Sequence, residues 1–227
     1  MNKRINIVEN FETLDMKRTK FTGIFLRLLM ICLGAALASY GIDLAIHAGF
    51  GSATLAVLWQ GVSVRFGLSY GAASLLVAAV MVAFCMVYDR SQIHVGTVLY
   101  QIVYTFAIDF FRSRVYYTEN SILNFGIMLL GIVIFAVGTA FYAFADLGRG
   151  SYEALTFAFV KKKGWQTKTV RITLDILVVV VGVALGGKAG ICTLCTIFLS
   201  GHIIQWTMGR MRKLTGLQTM REIWKMI

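Results

Sequence analysis

Residues 122–145 run for 24 positions without a charged side chain, and no other feature so narrows what the chain can become. A helix rises about 1.5 Å per residue, so ~20 apolar residues bridge the ~30 Å hydrocarbon core of a bilayer. Two further runs, 70–88 and 189–208, hold 19 and 20 residues free of Lys, Arg, Asp and Glu. With 58% of its residues hydrophobic, the chain carries more apolar surface than a soluble fold could bury. The stretches 28–46, 95–111 and 172–187 read as additional spans. Asp43, Asp109 and Asp175 within them are affordable where they reach water or a cavity. The expected class is an all-α polytopic membrane protein.

The chain also reads as two diverged copies of one unit, 26–111 and 125–210. Each copy opens with a long apolar segment that runs into a glycine-rich break, Gly49-Phe50-Gly51-Ser52 in the first and Gly148-Arg149-Gly150-Ser151 in the second. The next breakers are Arg65-Phe66-Gly67-Leu68-Ser69 and Lys163-Gly164-Trp165-Gln166-Thr167. His94-Val95-Gly96-Thr97 then matches Gly190-Ile191-Cys192-Thr193. The offset is 99 at Ser52 and Ser151, 97 at Gly67 and Gly164, and 96 at Thr97 and Thr193. The expected organisation is a leader (1–23), a first membrane repeat (24–115), a second (122–210) and a tail (211–227), with three to four membrane segments per repeat. The sequence has no proline, so its 22 glycines must supply every break. Gly34, Gly41, Gly126, Gly131 and Gly138 read as points of close helix approach. Ala36-Leu37-Ala38 looks like a signal cleavage site, but the segment continues to Ile46 and has a counterpart in mid-chain, so it reads as part of the fold.

Basic residues set the expected orientation. If the short segments 52–64 and 151–160 cross the bilayer, the copies are parallel and the 22 Lys and Arg divide 19 inside to 3 outside. If they re-enter, the copies are inverted and the division is 18 to 4. Either way both termini are expected in the cytoplasm of a bacterial cell. The run Lys161-Lys162-Lys163 favours four crossings per copy, whereas the shortness of these segments favours partial insertion. The net charge of +11 is explained by this bias and by anionic lipid headgroups, and nucleic acid is excluded because no basic stripe sits on a soluble domain. Tyr116, Tyr117, Trp165, Trp206 and Trp224 are expected at the membrane interface.

Polar groups at membrane depth are the candidate site. His47 and Asp146 occupy matching positions just before the two breaks, and a duplicated fold could bring them together around a shared axis. Asp43 precedes His47 by one helical turn, as Tyr142 precedes Asp146. The amides after Gly49, Gly51 and Ser52, and after Gly148, Gly150 and Ser151, would open the next helices and attract an anionic group. The competing reading makes both breaks wet loops at the surface. Glu153 reads first as a helix-capping carboxylate and second as a substrate ligand. Asp109 and Gln205 match across the copies near the ends of their spans and are expected to snorkel or to pair with Arg112 or Arg210, and Arg171 and Asp175 are spaced for an intrahelical pair. His94 and His202 read as packing residues. Cys192 and Cys195 have metal-like spacing without the further ligands a zinc site needs, so neither metal nor cofactor is expected.

The segment Ala145-Asp146-Leu147-Gly148-Arg149-Gly150-Ser151-Tyr152-Glu153, with Thr169-Val170-Arg171 and Gly190-Ile191-Cys192-Thr193, resembles the bacterial YczE/YitT-like integral membrane proteins. These carry A-D-L-G-x-G-P-W-D, T-V-R-T and G-I-G-T segments and are internally duplicated. The likeness covers nearly the whole chain apart from leader and tail, and is better in the second copy. Ser151 replaces the proline, Glu153 the aspartate and Cys192 a glycine. The resemblance implies fold and location and assigns no activity.

Three functions follow as expectations. The first is a small-solute transporter or permease with its site at the glycine breaks. The second is an accessory membrane protein that recruits partners through its basic cytoplasmic face. An enzyme ranks last, since no nucleophile, base and orienting group come from adjacent motifs. No lysine-bearing phosphate loop for ATP occurs.

Overall fold

The structure, a computed structural model, describes the backbone of residues 2–112, 119–148 and 150–215, and the side chains of these except 2–22 and 168. The helices are α1 (Asn2–His47), α2 (Thr54–Phe66), α3 (Tyr70–Tyr88), α4 (Val95–Arg112), α5 (Ser121–Ala145), α6 (Ser151–Lys163), α7 (Thr167–Ala184) and α8 (Ile191–Thr215). A 3-10 turn, Arg90–Gln92, joins α3 to α4. No strand occurs among the described residues, so the fold is all-α as expected. Among the described residues, four segments are long and apolar enough to cross a membrane: Gly23–His47, Tyr70–Tyr88, Ser121–Ala145 and Ile191–Thr215. Helices α1 and α8 run without interruption through the boundaries expected at 23 and 210.

The outer faces fit a lipid surrounding. Val87 is 91% exposed, Phe106 74% and Phe198 69%, a pattern that would make a soluble chain aggregate. The membrane class therefore rests on surface as well as on span length.

The central contact is between α1 and α5. A Cβ on Gly34 would lie 2.7 Å from the Gly138 carbonyl, and Gly41 sits with equal closeness against Gly131. Only glycine lets two backbones approach this far, so dispersion between main chains replaces side-chain packing. Four of the five glycines read as packing points thus meet across this seam, whereas Gly126 faces open space. The register runs in opposite directions, and Arg27 confirms it from the other end. Its Nε donates to the Ala145 carbonyl at 2.7 Å and its guanidinium also reaches the Asp146 carbonyl. A buried arginine thereby satisfies carbonyls left open at the end of α5.

Parallel copies do not hold, because α1 and α5, the first helices of the two copies, are antiparallel. Helix α4 starts where α5 ends, with Gly96 N–H bonded to the Leu147 carbonyl at 3.0 Å. It finishes beside the far half of α1, where the Tyr40 and Phe111 rings are 5.0 Å apart. Helix α8 starts beside the start of α5, where Cys192 packs with Met128 and Ala45.

The short helices return to the end at which they began. Ser52, before α2, bonds through its N–H to the Lys188 carbonyl near the start of α8. After α2, Gly71 N–H bonds to Asp109 near the finish of α4, and both places belong to the His47 end of the bundle. At the other end, α6 begins beside Tyr142 of α5 and closes with Lys161 on Asp89, just after α3. Thirteen residues, about 20 Å of helix, suit such a return better than a full passage. The basic run on α6 closes this short helix beside the end of α3, where Lys161 meets Asp89.

Candidate functional site

Each break is stitched to the start of a helix from the other half by a main-chain bond, Cys192 N–H to the Phe50 carbonyl at 2.9 Å and Gly96 N–H to the Leu147 carbonyl at 3.0 Å, and the side chains around the two breaks differ. At the first, Gly51 has φ +94°, and a Cβ there would lie 2.5 Å from Gly190 N. A side chain is thus barred by backbone conformation and by contact together. Ser52 is fully buried, and its Oγ donates to Gln60 Oε1 at 2.9 Å. The same oxygen accepts from Lys188 N–H at 2.9 Å, while Thr193 Oγ1 donates to the Ser52 carbonyl at 2.5 Å. A buried amide with both lone pairs used holds this break closed.

The second break turns on Tyr142. Its Oη accepts from Gly150 N–H at 2.7 Å and donates to Glu153 Oε2 at 3.1 Å. Glu153 folds back over the first turn of α6, where a carboxylate offsets the helix dipole. Asp146, with φ +50°, closes α5 in the left-handed region that aspartate tolerates.

Between the breaks lies a cavity of about 540 Å³. The N-terminal ends of both short helices border it, through Thr54 on α2 and Ser151 and Glu153 on α6. Its aromatic wall includes Tyr100 and Tyr142, with ring centroids 4.3 Å apart. Gln101 Nε2 lies 3.4 Å from both Ser74 Oγ and Thr105 Oγ1. Opposite, Tyr152 donates to Asp175 Oδ1 at 2.6 Å. The walls are apolar with a few convergent polar groups, the usual make-up of a small-molecule site. Helix α3 packs on α4, but α7 and α8 make no contact of comparable extent. Between them Ile197, His202, Gln205 and Arg171 border the cavity and are themselves exposed.

The structure separates the residues that the sequence places together. Gly150, Ser151 and Glu153 border the cavity; His47, Gly49, Gly51, Ser52, Asp146 and Gly148 do not. In the register of α1 against α5, His47 is level with about residue 125, so it lies roughly 30 Å from Asp146 along the bundle. The two cannot share a proton or a solute, because inverted halves put equivalent positions at opposite ends. Asp109 does not pair with Arg112: it accepts from Ser69 Oγ at 2.6 Å and Gly71 N–H at 2.8 Å, capping α3. Arg112 instead lies over the Tyr70 ring at 3.5 Å. Asp175 takes the Tyr152 hydroxyl and forms no ion pair with Arg171 among the described residues. Trp165, between α6 and α7, and Trp206, within α8, are both exposed. Arg149, Tyr116, Tyr117 and Trp224 lie outside the described residues.

The sequence reading missed Trp59, Tyr100, Gln101, Tyr104 and Tyr152, all of which border the cavity. A signal existed for α4: Tyr100, Gln101, Tyr104 and Thr105 recur at one-turn spacing and mark one polar face on an otherwise apolar helix.

Comparison with known proteins agrees with this class. The chain is 26% identical over 144 residues to the uncharacterized membrane protein YczE of Bacillus subtilis, covering 63% of this chain and 67% of that one. It is 24% identical over 208 residues to an uncharacterized protein of Haemophilus influenzae, covering 91% and 93%. A second Bacillus subtilis relative, the uncharacterized protein YyaS, is 24% identical over 178 residues, covering 76% and 87%. No solved structure matches. The family model described as a family of unknown function, DUF6198, matches residues 25–209, and the chain belongs to that family.

Proposed function

We propose that this membrane protein is a small-solute transporter of the bacterial cytoplasmic membrane. The observation that carries the reading is the shared cavity, bordered by the N-terminal ends of two short helices that enter from opposite ends of the bundle. Discontinuous helices meeting near mid-bilayer between inverted halves are a recurring arrangement of solute sites in transporters. In this reading α1, α3, α4, α5, α7 and α8 cross the bilayer, α2 and α6 re-enter, and both termini are cytoplasmic. The division of basic residues, 18 inside to 4 outside, supports that orientation. The cytoplasmic cluster then lies against anionic headgroups.

Recruitment of partners through the basic face ranks second. Lys161 is bonded to Asp89 and Ser91, and Lys162 lies over Tyr88 at 4.4 Å, so part of that face holds the bundle together.

Cysteine accessibility tests the proposal in a background lacking the four native cysteines. A cysteine replacing Ser74 or Ser200 should react with an impermeant maleimide added on either side of oriented vesicles, because a transport site faces both compartments in turn. Reaction from one side alone, or from neither, overturns the reading. Cysteines at 149 and 162 should label from the same side, and opposite sides would overturn the six-crossing topology.

A further inference from the structure

Thr54 and Glu153 stand at matching positions in the two halves, each in the first turn of its short helix. Both border the cavity, yet they leave the two helix starts with opposite electrical character. At the start of α2 the capping residue, Ala53, has no side-chain hydrogen bond to offer. The N–H groups of Ala53, Thr54, Leu55 and Ala56 meet no acceptor among the described residues, and all four residues border the cavity. Open amides at a helix start act together as roughly half a positive charge. At the start of α6 the chain supplies its own anion. Tyr142 takes the Gly150 N–H and donates to Glu153, whose full carboxylate charge outweighs the half charge beside it. Sequence pattern alone assigns both starts the same attraction for an anion, and packing leaves it to one.

Two buried side chains show that the space between these poles is built for a polar occupant. Tyr104 is 8% exposed and Ser200 5%; both border the cavity, and neither hydroxyl has a hydrogen-bond partner among the described residues. The Thr207 hydroxyl is also unpaired but sealed from any space, whereas these two open onto the cavity. A solute with polar groups is stabilised there by bonds that the fold itself leaves unmade.

We propose that the cavity takes a small zwitterion, its carboxylate at the start of α2 and its ammonium group at Glu153; this names the solute class of the transport reading above and rests on it. The rings of Tyr100 and Tyr142, with centroids 4.3 Å apart, offer faces to the ammonium group and an apolar wall to the body of the solute. Arg171 and Asp175 also border the cavity. They lie one helical turn apart on α7 and bring one charge of each sign, so the polarity set by the two helix starts stands. A simple anion would leave Glu153 without a counter-charge, and a simple cation would leave the α2 amides open.

Calorimetric titration of the full chain in lipid nanodiscs, with probes matched in length, tests the assignment. Aminohexanoate carries both charges, hexylamine only the amine and hexanoate only the carboxylate. Phenylalanine, phenethylamine and phenylpropionate repeat the comparison with both charged groups on one carbon. In at least one set the zwitterion should bind at least about tenfold more tightly than either relative. A zwitterion no tighter than its relatives in both sets overturns the proposal. Glu153→Gln should remove the advantage of the zwitterion while hexanoate binds as in the parent. Thr54→Glu, which gives α2 the carboxylate that α6 has, should lose aminohexanoate and accept hexanediamine. An unchanged order of probes in either assembled variant overturns the placement of the poles, and the parent titrations decide the class if neither variant assembles. Loss of the preference with Ser200→Cys still labelled from both sides leaves the transport reading standing. One-sided labelling beside an intact preference overturns transport and leaves a zwitterion-binding site.

Discussion

Each half opens with a long helix followed by one of 13 residues, and the halves differ at two places. In the first, α3 packs on α4 and the break is sealed by Ser52, Gln60 and Thr193. In the second, α7 stands apart from α8, and the break is held by Tyr142 and Glu153 at the cavity wall. The contrast teaches that a closed half and an open half can be made from one plan. What changes is whether the polar groups of the break look inward to one another or outward to a space.

The largest effect should come from filling the open side. Ser200→Trp places an indole in the cavity between α7 and α8 and should abolish maleimide reaction at a second-site Ser74→Cys, with thermal stability kept. Normal labelling of that cysteine would break the contrast, since it would give the cavity another entrance. Next come the breaks. Gly51→Ala meets both a positive φ and the backbone at Gly190 and should cost about 3 kcal/mol. Gly49→Ala, with φ +87° but no atom within 4 Å, should cost about 1 kcal/mol. Equal losses in reversible unfolding would mean that backbone strain, not contact, governs the first break. Third, Gln60→Leu strands the buried Ser52 hydroxyl and the part-buried Lys188 N–H at the sealed break and should cost about 2 kcal/mol, against about 1 kcal/mol for Tyr142→Phe at the open one. A reversed order would assign the sealing to the wrong half.

The smallest effect concerns Asp89. Hydrogen bonds from Ser91, then Gln92, and from Lys161, hold its carboxyl below the ordinary carboxylate range. A carboxylate lowered on folding stabilises the fold above its unfolded value, near pH 4, and that contribution fades as pH falls through the folded value. The stability gap between parent and Asp89→Asn should therefore be present at pH 7 and shrink below about pH 4. A gap that persists at lower pH would mean that packing, not charge, joins α6 to α3.

Much of this fold is legible in the residues, and the reasons are specific. The stretch 122–145 announces α5 because nothing in it is charged, and 70–88 announces α3 likewise. Glycine runs mark where α1 and α5 stop. Direction is not legible, because a 19 to 3 charge division and an 18 to 4 division are equally acceptable to the bilayer. The shortness of α2 and the basic run Lys161 to Lys163 pull in opposite directions. Glu153 is readable as a residue of the site because it follows a break. Tyr100, Gln101, Tyr152 and Asp175 come from three helices, and only their packing reveals one wall. His47 and Asp146 show the converse, since equivalence along a sequence becomes distance once one half is turned over.

Arg27 leaves a mark on how this protein must be made. Its acceptor, the Ala145 carbonyl, lies 118 residues further along the chain. At about 5–20 residues per second the ribosome takes roughly 6–24 s to supply it. Until it does, neither of these two hydrogen bonds can form, so the seam between the first and fifth helices closes only once the second half of the chain has been made.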